Sequence, residues 1–171
     1  FTTRPDTLFG VTFMVLASEH ELVKTITTSE QKSEVENYIK QTQAKSDIER
    51  QDTDREKTGI FTGAYAINPV NDEKIPVWIA DYVLAGYGTG AIMAVPAHDE
   101  RDYEFAKKFE LPITEVITKP TGFEGCYAGE GIVINSGPYN EKPSEVAREQ
   151  IVVDLAKSKQ GEEKVNYKMR D

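Results

Sequence analysis

The sequence predicts a mixed α+β domain in which a closed or nearly closed β-sheet carries peripheral helices. Three observations lead to this fold class. Short segments rich in β-branched and aromatic residues recur along the chain and are separated by turn residues. Between them, a few segments place apolar residues at helical spacing. The chain has 171 residues, of which 39% are hydrophobic, and this suffices for one compact core. We therefore expect residues 1–171 to form a single domain.

The first predicted strands flank a bend at Pro5 and Asp6. Thr2 and Thr3 precede the bend, and a mostly apolar run at residues 11–16 follows it. Threonine and the other β-branched residues favour extended backbone, whereas Pro-Asp favours a turn. The beginning of the chain is thus predicted to be a strand end with its turn.

The middle of the chain predicts a β-hairpin. Residues 64–67 and 75–80 are joined across the turn sequence PVND, and Trp78 lies on one face of the second strand. Further short strands are predicted at residues 82–84, 91–95, 113–118, 132–134 and 164–168. Because both the first and the last element are strands, they can lie side by side, as in a module inserted into a larger protein. We therefore expect this domain to be part of a longer chain.

Three helices are predicted from apolar residues at helical spacing. The first is capped by Ser29 and extends to the polar stretch at residues 45–58, which we expect to be a mobile loop. The second starts near Asp99. The third starts near Pro143 and ends before Gly161, since proline suits a first helical turn and glycine a helix end.

Composition excludes several classes of protein. The net charge of −9 argues against extended binding to a nucleic-acid duplex through its phosphates. It leaves open a site that receives only a single-stranded end. Cys126 is the single cysteine, so no internal disulfide is possible, and with two histidines no structural metal site is expected. No apolar run approaches the roughly 20 residues of a membrane-spanning helix, and we expect the protein in the cytoplasm.

One glycine-rich segment formally matches a nucleotide-binding motif. Gly86, Gly88 and Ala91 satisfy G-x-G-x-x-A after a predicted strand. The residues that follow predict a strand, so no helix N-terminus is available to hold a pyrophosphate. A turn with close backbone approach explains the glycines better. A nucleotide-binding oxidoreductase would rest on this match alone.

Two segments carry side chains suited to chemistry. The first, FTTRPDT at residues 1–7, groups threonine hydroxyls around a turn. The second, GTGAIMAVPAHDERDYEFA at residues 88–106, places Asp102 at the head of an apolar helix stripe. Hydroxyls can orient water, and an inward-facing carboxylate suits a substrate ammonium group. Local patterns alone favour a simpler interpretation, with ordinary strand threonines and an Arg4–Asp6 ion pair, and a helix that has Asp99 as its N-cap and Asp102 in its first turn.

Taken together, TTRPDT and GTGAIMAVPAHDERDYEFA resemble the two signature segments of the editing domain of leucyl-tRNA synthetases, most closely the bacterial type. The order and spacing of the segments match, and the similarity continues along the chain to KVNYKMRD. The editing domains of isoleucyl and valyl enzymes are the alternative. They usually carry histidine at the position of Met93 and lack the HDERD run.

The resemblance implies a barrel-like core of about six strands with peripheral helices, inserted into a class I synthetase. The ATP-binding aminoacylation domain of such an enzyme is not in this sequence. The implied activity is post-transfer editing: hydrolysis of the ester that joins isoleucine, methionine or norvaline to tRNA(Leu), with leucyl-tRNA spared. The implied partners are the 3′ terminal adenosine of tRNA(Leu) and the remainder of the synthetase, and the implied domain needs no cofactor and no metal. A domain that docks the acceptor end without cleaving it is the competing function.

The resemblance also implies a role for each site residue. Asp102 would hold the substrate ammonium group, Thr2 and Thr3 would orient the substrate or the attacking water, and Thr7 would block the γ-branch of leucine. The remaining predicted site residues are Met93 and Val95 at the amino-acid side chain, Leu84 and Tyr87 near the adenosine, and Arg4, His98 and Asp99 as further residues that bind the substrate or its adenosine. Arg4 and Asp99 could instead brace that loop, and His98 is not favoured as a general base.

Overall fold

The computed structural model describes residues 1–51, 55–86 and 88–165. It shows a mixed α/β fold built on one four-stranded sheet. The strands are β1 (Phe13–Leu16), β2 (Gly59–Ile67), β3 (Lys74–Ala80) and β4 (Ala91–Ala94). The helices are α1 (Leu22–Ile26), α2 (Lys32–Gln43), α3 (Asp47–Gln51), α4 (Glu100–Lys108) and α5 (Ser144–Lys157), with 3₁₀ helices at Pro5–Gly10 and Gly137–Tyr139.

The strand order β2-β3-β1-β4 brings the two signature segments together. β2 and β3 form the predicted hairpin, β1 runs parallel to β3, and β4 runs antiparallel to β1. Phe13 at the start of β1 therefore pairs with Ala94 at the end of β4. Because of this register, the 3₁₀ helix that precedes β1 and the helix α4 that follows β4 lie at the same end of these two strands.

An aromatic cluster packs α4 onto the sheet. Phe105 is fully buried and its ring lies 5.4 Å from that of Phe13 and 5.6 Å from that of Trp78. Trp78 also contacts Phe109, with ring centroids 4.9 Å apart. Truncating a buried phenylalanine typically costs about 3–5 kcal/mol, so Phe105 fixes the position of α4. The prediction that Trp78 packs on one face of the hairpin is confirmed.

The beginning of the chain differs from the prediction. Residues 2 and 3 are not in a strand, and Pro5 starts a 3₁₀ helix instead of a turn between strands. Proline fixes a φ angle that suits the first position of a helix. The N-cap of α2 is Gln31 rather than Ser29, which lies two residues further out.

The polar stretch at residues 45–58 contains α3 (Asp47–Gln51), so the prediction of a loop is wrong for these five residues. The Arg50 guanidinium donates to the carbonyls of Asp81 and Val83, and Lys45 and Arg55 form ion pairs with the Asp81 carboxylate. The charges that indicated a solvated loop therefore anchor this segment to the turn after β3. Residues 52–54 lie outside the described part.

The predicted sheet of about six strands is not formed among the described residues. Residues 82–84 are not in a strand, and the Val83 carbonyl accepts from Arg50. Residues 113–118 and 132–134 pair only through isolated bridges at Ile117–Val133 and Ile132–Pro143. Residues 164 and 165 are not in a strand, and the rest of the predicted last strand lies outside the described residues. No described helix combines the length and the hydropathy needed to cross a membrane.

Candidate functional site

Both signature segments line one pocket of about 110 Å³. The sequence-predicted residues at this pocket are Thr2, Thr3, Arg4, Thr7, Met93, Val95, His98, Asp99 and Asp102. Phe1, Ile92 and Arg101 complete its lining. Leu84 is half-buried and lies outside this lining, and Tyr87 lies outside the described residues. The structure thus gathers the amino-acid side of the predicted site and leaves the adenosine side a prediction.

Asp102 lies in the first turn of α4 and is 4% exposed. Its Oδ1 accepts a hydrogen bond from the Tyr82 hydroxyl at 2.8 Å, and its Oδ2 accepts one from the Val95 amide at 2.9 Å. Burial raises the pKa of the Asp102 carboxyl from 3.8 to about 7, the Asp99 carboxylate adds to the rise, and the two hydrogen bonds oppose it. A carboxylate oxygen can accept more than one hydrogen bond, so both oxygens keep capacity for a further donor.

The other buried aspartates of the described chain show what is particular to Asp102. Asp6 is fully buried and pairs with Arg4 at 2.7 Å and with Arg148 at 3.0 Å. Asp81 is 3% exposed and pairs with Lys45 and Arg55. Asp102 has neutral hydrogen-bond donors and, among the described residues, no ion pair. A buried charge is costly unless it is paired, so the pocket contains a carboxylate suited to a cation from outside.

Asp99 is the N-cap of α4, as local sequence patterns predict. Its Oδ1 accepts hydrogen bonds from the amides of Arg101 at 3.0 Å and Asp102 at 3.3 Å, and its Oδ2 accepts from the Arg101 guanidinium at 3.4 Å. These bonds satisfy two of the amides that the first turn of a helix leaves free. Asp99 therefore sets the position of the first turn, in which Asp102 lies.

His98 has both ring nitrogens engaged. Nε2 accepts hydrogen bonds from the amides of Val116 at 3.0 Å and Ile117 at 3.1 Å, so Nδ1 carries the proton and donates to the Tyr127 carbonyl at 2.7 Å. Burial lowers the pKa of His98 below its ordinary value. The neutral ring joins three stretches of chain, and its only lone pair is occupied. This geometry favours a structural role over that of a general base.

Arg4 belongs to a network of ion pairs that connects the first signature segment with Glu130 and with Arg148 on α5. Its Nε and Nη2 donate to the Asp6 carboxylate, with Nη2 at 2.7 Å, and Nη1 donates to the Ala128 carbonyl at 3.0 Å. Arg148 on α5 donates to Asp6 at 3.0 Å and to Glu130 at 2.8 Å. Burial alone would raise the pKa of Asp6, but the two arginines outweigh it and the pKa lies below its ordinary value. Arg4 thus braces the loop, with its charge compensated.

The three threonines have distinct environments. Thr7 is 2% exposed, and its hydroxyl donates to the Arg4 carbonyl at 2.8 Å. This bond fixes the rotamer of Thr7 and hence the position of its methyl group. The Thr2 hydroxyl oxygen accepts from the Arg4 amide at 3.0 Å, which leaves its hydrogen available for donation. Thr3 is exposed to solvent.

The glycine turn connects the two segments and does not form a dinucleotide site. Gly88 has a φ of 59°, and an added Cβ would lie 2.7 Å from Cδ1 of Phe1. The turn therefore needs a residue without a side chain to contact the first segment. β4 follows directly, so no helix N-terminus faces a pyrophosphate. This geometry gives no support to the oxidoreductase alternative.

Sequence reasoning missed the residues that hold the predicted ones. The sequence predicts only a strand around Tyr82 and only a helix around Arg148. Their partners Asp102 and Asp6 are distant in sequence, so no local pattern could have identified the contacts. Among the described residues, no group of three histidine, cysteine, aspartate or glutamate side chains could hold a metal ion.

Comparison with known proteins defines the class first. The fold matches part of one chain of the Agrobacterium radiobacter K84 agnB2 LeuRS–tRNA–LeuAMS ternary complex with a TM-score of 0.70 at 34% sequence identity. The match covers 95% of this chain and 17% of that one. The structure is therefore that of a domain found within an aminoacyl-tRNA synthetase.

Sequence comparison then gives the family. The family model for the leucyl-tRNA synthetase editing domain matches residues 1–156. The chain is also 55% identical over 175 residues to leucine–tRNA ligase of Dehalococcoides mccartyi. This match covers 100% of the chain and 22% of the length of that relative. The chain belongs to the leucyl-tRNA synthetase editing-domain family. The predicted resemblance is confirmed, and the match favours the leucyl family over its isoleucyl and valyl relatives.

Proposed function

We propose that this chain is a post-transfer editing hydrolase. It hydrolyses the ester that joins isoleucine, methionine or norvaline to the 3′ terminal adenosine of tRNA(Leu), and it spares leucyl-tRNA. One observation carries the proposal: Asp102 is a buried carboxylate that has no ion pair among the described residues, and it lies at the edge of a pocket that threonine side chains also line. Family membership supplies the reaction class.

Recognition begins with the substrate ammonium group. An ammonium donor within hydrogen-bond reach of Asp102 supplies the charge partner that the part of the chain described by the structure does not provide. It also favours the ionised carboxylate and so reverses the rise in pKa that burial causes. A substrate without a free ammonium group gains neither effect, which makes the group a requirement for tight binding.

The chemistry demands little further machinery. Water attacks the ester carbonyl carbon, the bond from that carbon to the ribose oxygen breaks, and the ribose oxygen receives a proton. The products are the free amino acid and uncharged tRNA. The α-ammonium group already activates the ester, so positioning of water and electrostatic support suffice. Thr2 and Thr3 orient the substrate or this water.

Selectivity against leucine is assigned to Thr7. An apolar pocket discriminates between isomeric side chains by only about 1–3 kcal/mol, so sparing leucine requires a clash. The methyl group of Thr7 is held in place by the hydroxyl bond to the Arg4 carbonyl at 2.8 Å. It blocks the γ-branch of leucine, while Met93 and Val95 line the space for the accepted side chains.

The tRNA is presented by other parts of the synthetase. The net charge of −9 disfavours a broad contact with tRNA phosphates, so this domain receives only the single-stranded tip. Leu84 and Tyr87 are assigned to the terminal adenosine. The domain contributes no cofactor, and editing takes place in the cytoplasm together with aminoacylation by the remainder of the chain.

Deacylation of isoleucyl-tRNA(Leu) and of leucyl-tRNA(Leu) tests the proposal. The chain is assayed alone and within a full-length leucine–tRNA ligase, together with Asp102→Ala and the control Glu104→Ala on the same helix. We expect hydrolysis of the isoleucyl ester by the wild type and by Glu104→Ala, and none by Asp102→Ala. Binding of the acceptor end without hydrolysis in the full-length enzyme would instead identify a docking module.

A further inference from the structure

Tyr82 is a buried hydrogen-bond partner of Asp102 and has no role in the mechanism proposed above. It is 7% exposed, and its hydroxyl donates to Oδ1 of Asp102 at 2.8 Å. The Val95 amide holds the other oxygen at 2.9 Å. The carboxylate is thus held by two donors from different parts of the chain. The donor from Val95 is a backbone amide, and the donor from Tyr82 is a side chain.

Tyr82 is itself held firmly. Arg50 donates from Nε to the Asp81 carbonyl at 3.1 Å and from Nη2 to the Val83 carbonyl at 2.9 Å, so the residues on both sides of Tyr82 are fixed. The ring packs against Phe105 with centroids 5.7 Å apart. Phe105 lies one turn after Asp102 on α4, and the donor and acceptor therefore share one rigid support.

We propose that Tyr82 is a positioning residue for editing, whose hydroxyl holds the Asp102 carboxylate in the orientation and ionised form that bind the substrate ammonium group. The inference rests on the proposed function. Tyr82 acts through Asp102 and contacts no reacting atom. A phenol donor stabilises a carboxylate more than it stabilises the protonated acid, so its removal favours the neutral form that cannot pair with a cation.

Other charged groups around Asp102 set the background for this effect. Asp99 and Arg101 lie on its own helix and act in opposite directions, Asp99 raising and Arg101 lowering the pKa of Asp102. Cys126 approaches from a separate segment. Burial, followed by the carboxylates of Asp99, Glu100 and Asp102, raises the pKa of that thiol to about 11, so it stays neutral. The Tyr82→Phe substitution leaves all of these groups unchanged.

Tyr82→Phe is the decisive variant, because it keeps the ring and removes only the hydroxyl. A hydrogen bond to a charged group accounts for about one pKa unit or slightly more. We expect the acid side of the pH profile of kcat/KM for isoleucyl-tRNA(Leu) to shift upward by about one pH unit. At pH 7 the rate should fall about fivefold, and the ratio to wild type should approach one as the pH rises, after subtraction of uncatalysed hydrolysis.

Tyr139→Phe is the matched control. Its hydroxyl donates to Oδ2 of Asp154 at 2.9 Å, so it also removes a tyrosine–aspartate hydrogen bond, away from the pocket lining. We expect its pH profile to match the wild type. Thermal unfolding of both variants shows whether a rate change reflects loss of folded protein.

A second measurement separates this inference from the proposed function. The ¹³C carboxyl resonance of Asp102, assigned by its absence in Asp102→Asn, is titrated in the wild type and in Tyr82→Phe without any tRNA. An upward shift of about one unit supports the positioning role even if deacylation is absent. An unchanged titration midpoint, or an unchanged acid limb in an active enzyme, overturns it.

Discussion

Replacing Asp102 with asparagine should make the domain more stable at neutral pH while it abolishes editing. The side-chain amide of Asn at this position can accept from the Val95 amide and donate to the Tyr82 hydroxyl oxygen. Both hydrogen-bonded contacts therefore remain, with donor and acceptor exchanged in the contact to Tyr82. The substitution removes a buried charge for which residues 1–51, 55–86 and 88–165 provide no ion pair. Proteins commonly pay in stability for functional groups of this kind.

The magnitude follows from the pKa of Asp102. In the unfolded chain the carboxyl has its ordinary pKa of 3.8, and in the folded domain it is raised to about 7. Between these values the folded state binds more protons, so the stability contribution of Asp102 is present at low pH and is lost as the pH rises. One pKa unit corresponds to about 1.4 kcal/mol, which gives a loss of about 4 kcal/mol above pH 7 as an upper bound.

Urea unfolding of wild type and Asp102→Asn at pH 4, 5, 6, 7 and 8 measures this difference. We expect the asparagine variant to exceed the wild type by about 2–4 kcal/mol at pH 8 and the excess to shrink towards pH 4. Deacylation of isoleucyl-tRNA(Leu) should fall by about 100-fold or more, because a neutral amide cannot pair with the ammonium group. A difference in unfolding free energy between the two proteins that stays constant across the pH range would refute the reasoning. It would show that folding does not raise the pKa of Asp102.

Three further predictions concern the residues around the pocket. Thr7→Ser keeps the hydroxyl and removes the methyl group, so it should permit hydrolysis of leucyl-tRNA(Leu), whereas Thr7→Val keeps the steric block and should spare it; equal rates for the two variants would contradict the steric role. Asp6→Ala leaves two arginines without their buried partner and should lower the free energy of unfolding by about 3–5 kcal/mol. Glu149→Ala, at an exposed site on α5, should change it by no more than about 0.5 kcal/mol, and chemical denaturation measures both. His98→Ala leaves two amides and one carbonyl without partners and should cost about 3 kcal/mol or more. Because the folded pKa of His98 lies below 6.5, its contribution is present above pH 6.5 and is lost as the pH falls, so the variant should show weaker acid destabilisation below that pH. Deacylation by the folded fraction of His98→Ala should persist, and its loss would restore His98 as a candidate base.

The parts of the fold that local patterns determine were predictable. The hairpin of β2 and β3, the N-cap at Asp99 and the helix with Arg148 all follow from turn residues, caps and apolar spacing. The parts that depend on distant contacts were not. Val116 and Ile117 are β-branched or apolar and predict a strand, yet their amides donate to His98, 18 and 19 residues away, so no continuous ladder forms.

The candidate site also combines features that motifs predict with contacts between residues distant in sequence, which they do not. The pocket could be predicted because the family motifs name its residues, but the supports of those residues could not. Arg148 reaches Asp6 across 142 positions, and Tyr82 reaches Asp102 across 20. Neither separation leaves a period or a motif in the sequence.

The arrangement of charges around the pocket is consistent with the proposed binding of an ammonium group at Asp102. Arg4 and Arg148 are both paired with Asp6 beneath the first signature segment, and Arg101 is paired with Asp99. These pairs compensate the arginines closest to the pocket and reduce their repulsion of an incoming ammonium group. Asp102 is meanwhile held by neutral donors that orient it without neutralising it. Under the proposed function, an ammonium group bound at Asp102 would provide its ion-pair partner, and the stability lost in burying the carboxylate would be recovered when an amino acid with a free ammonium group enters.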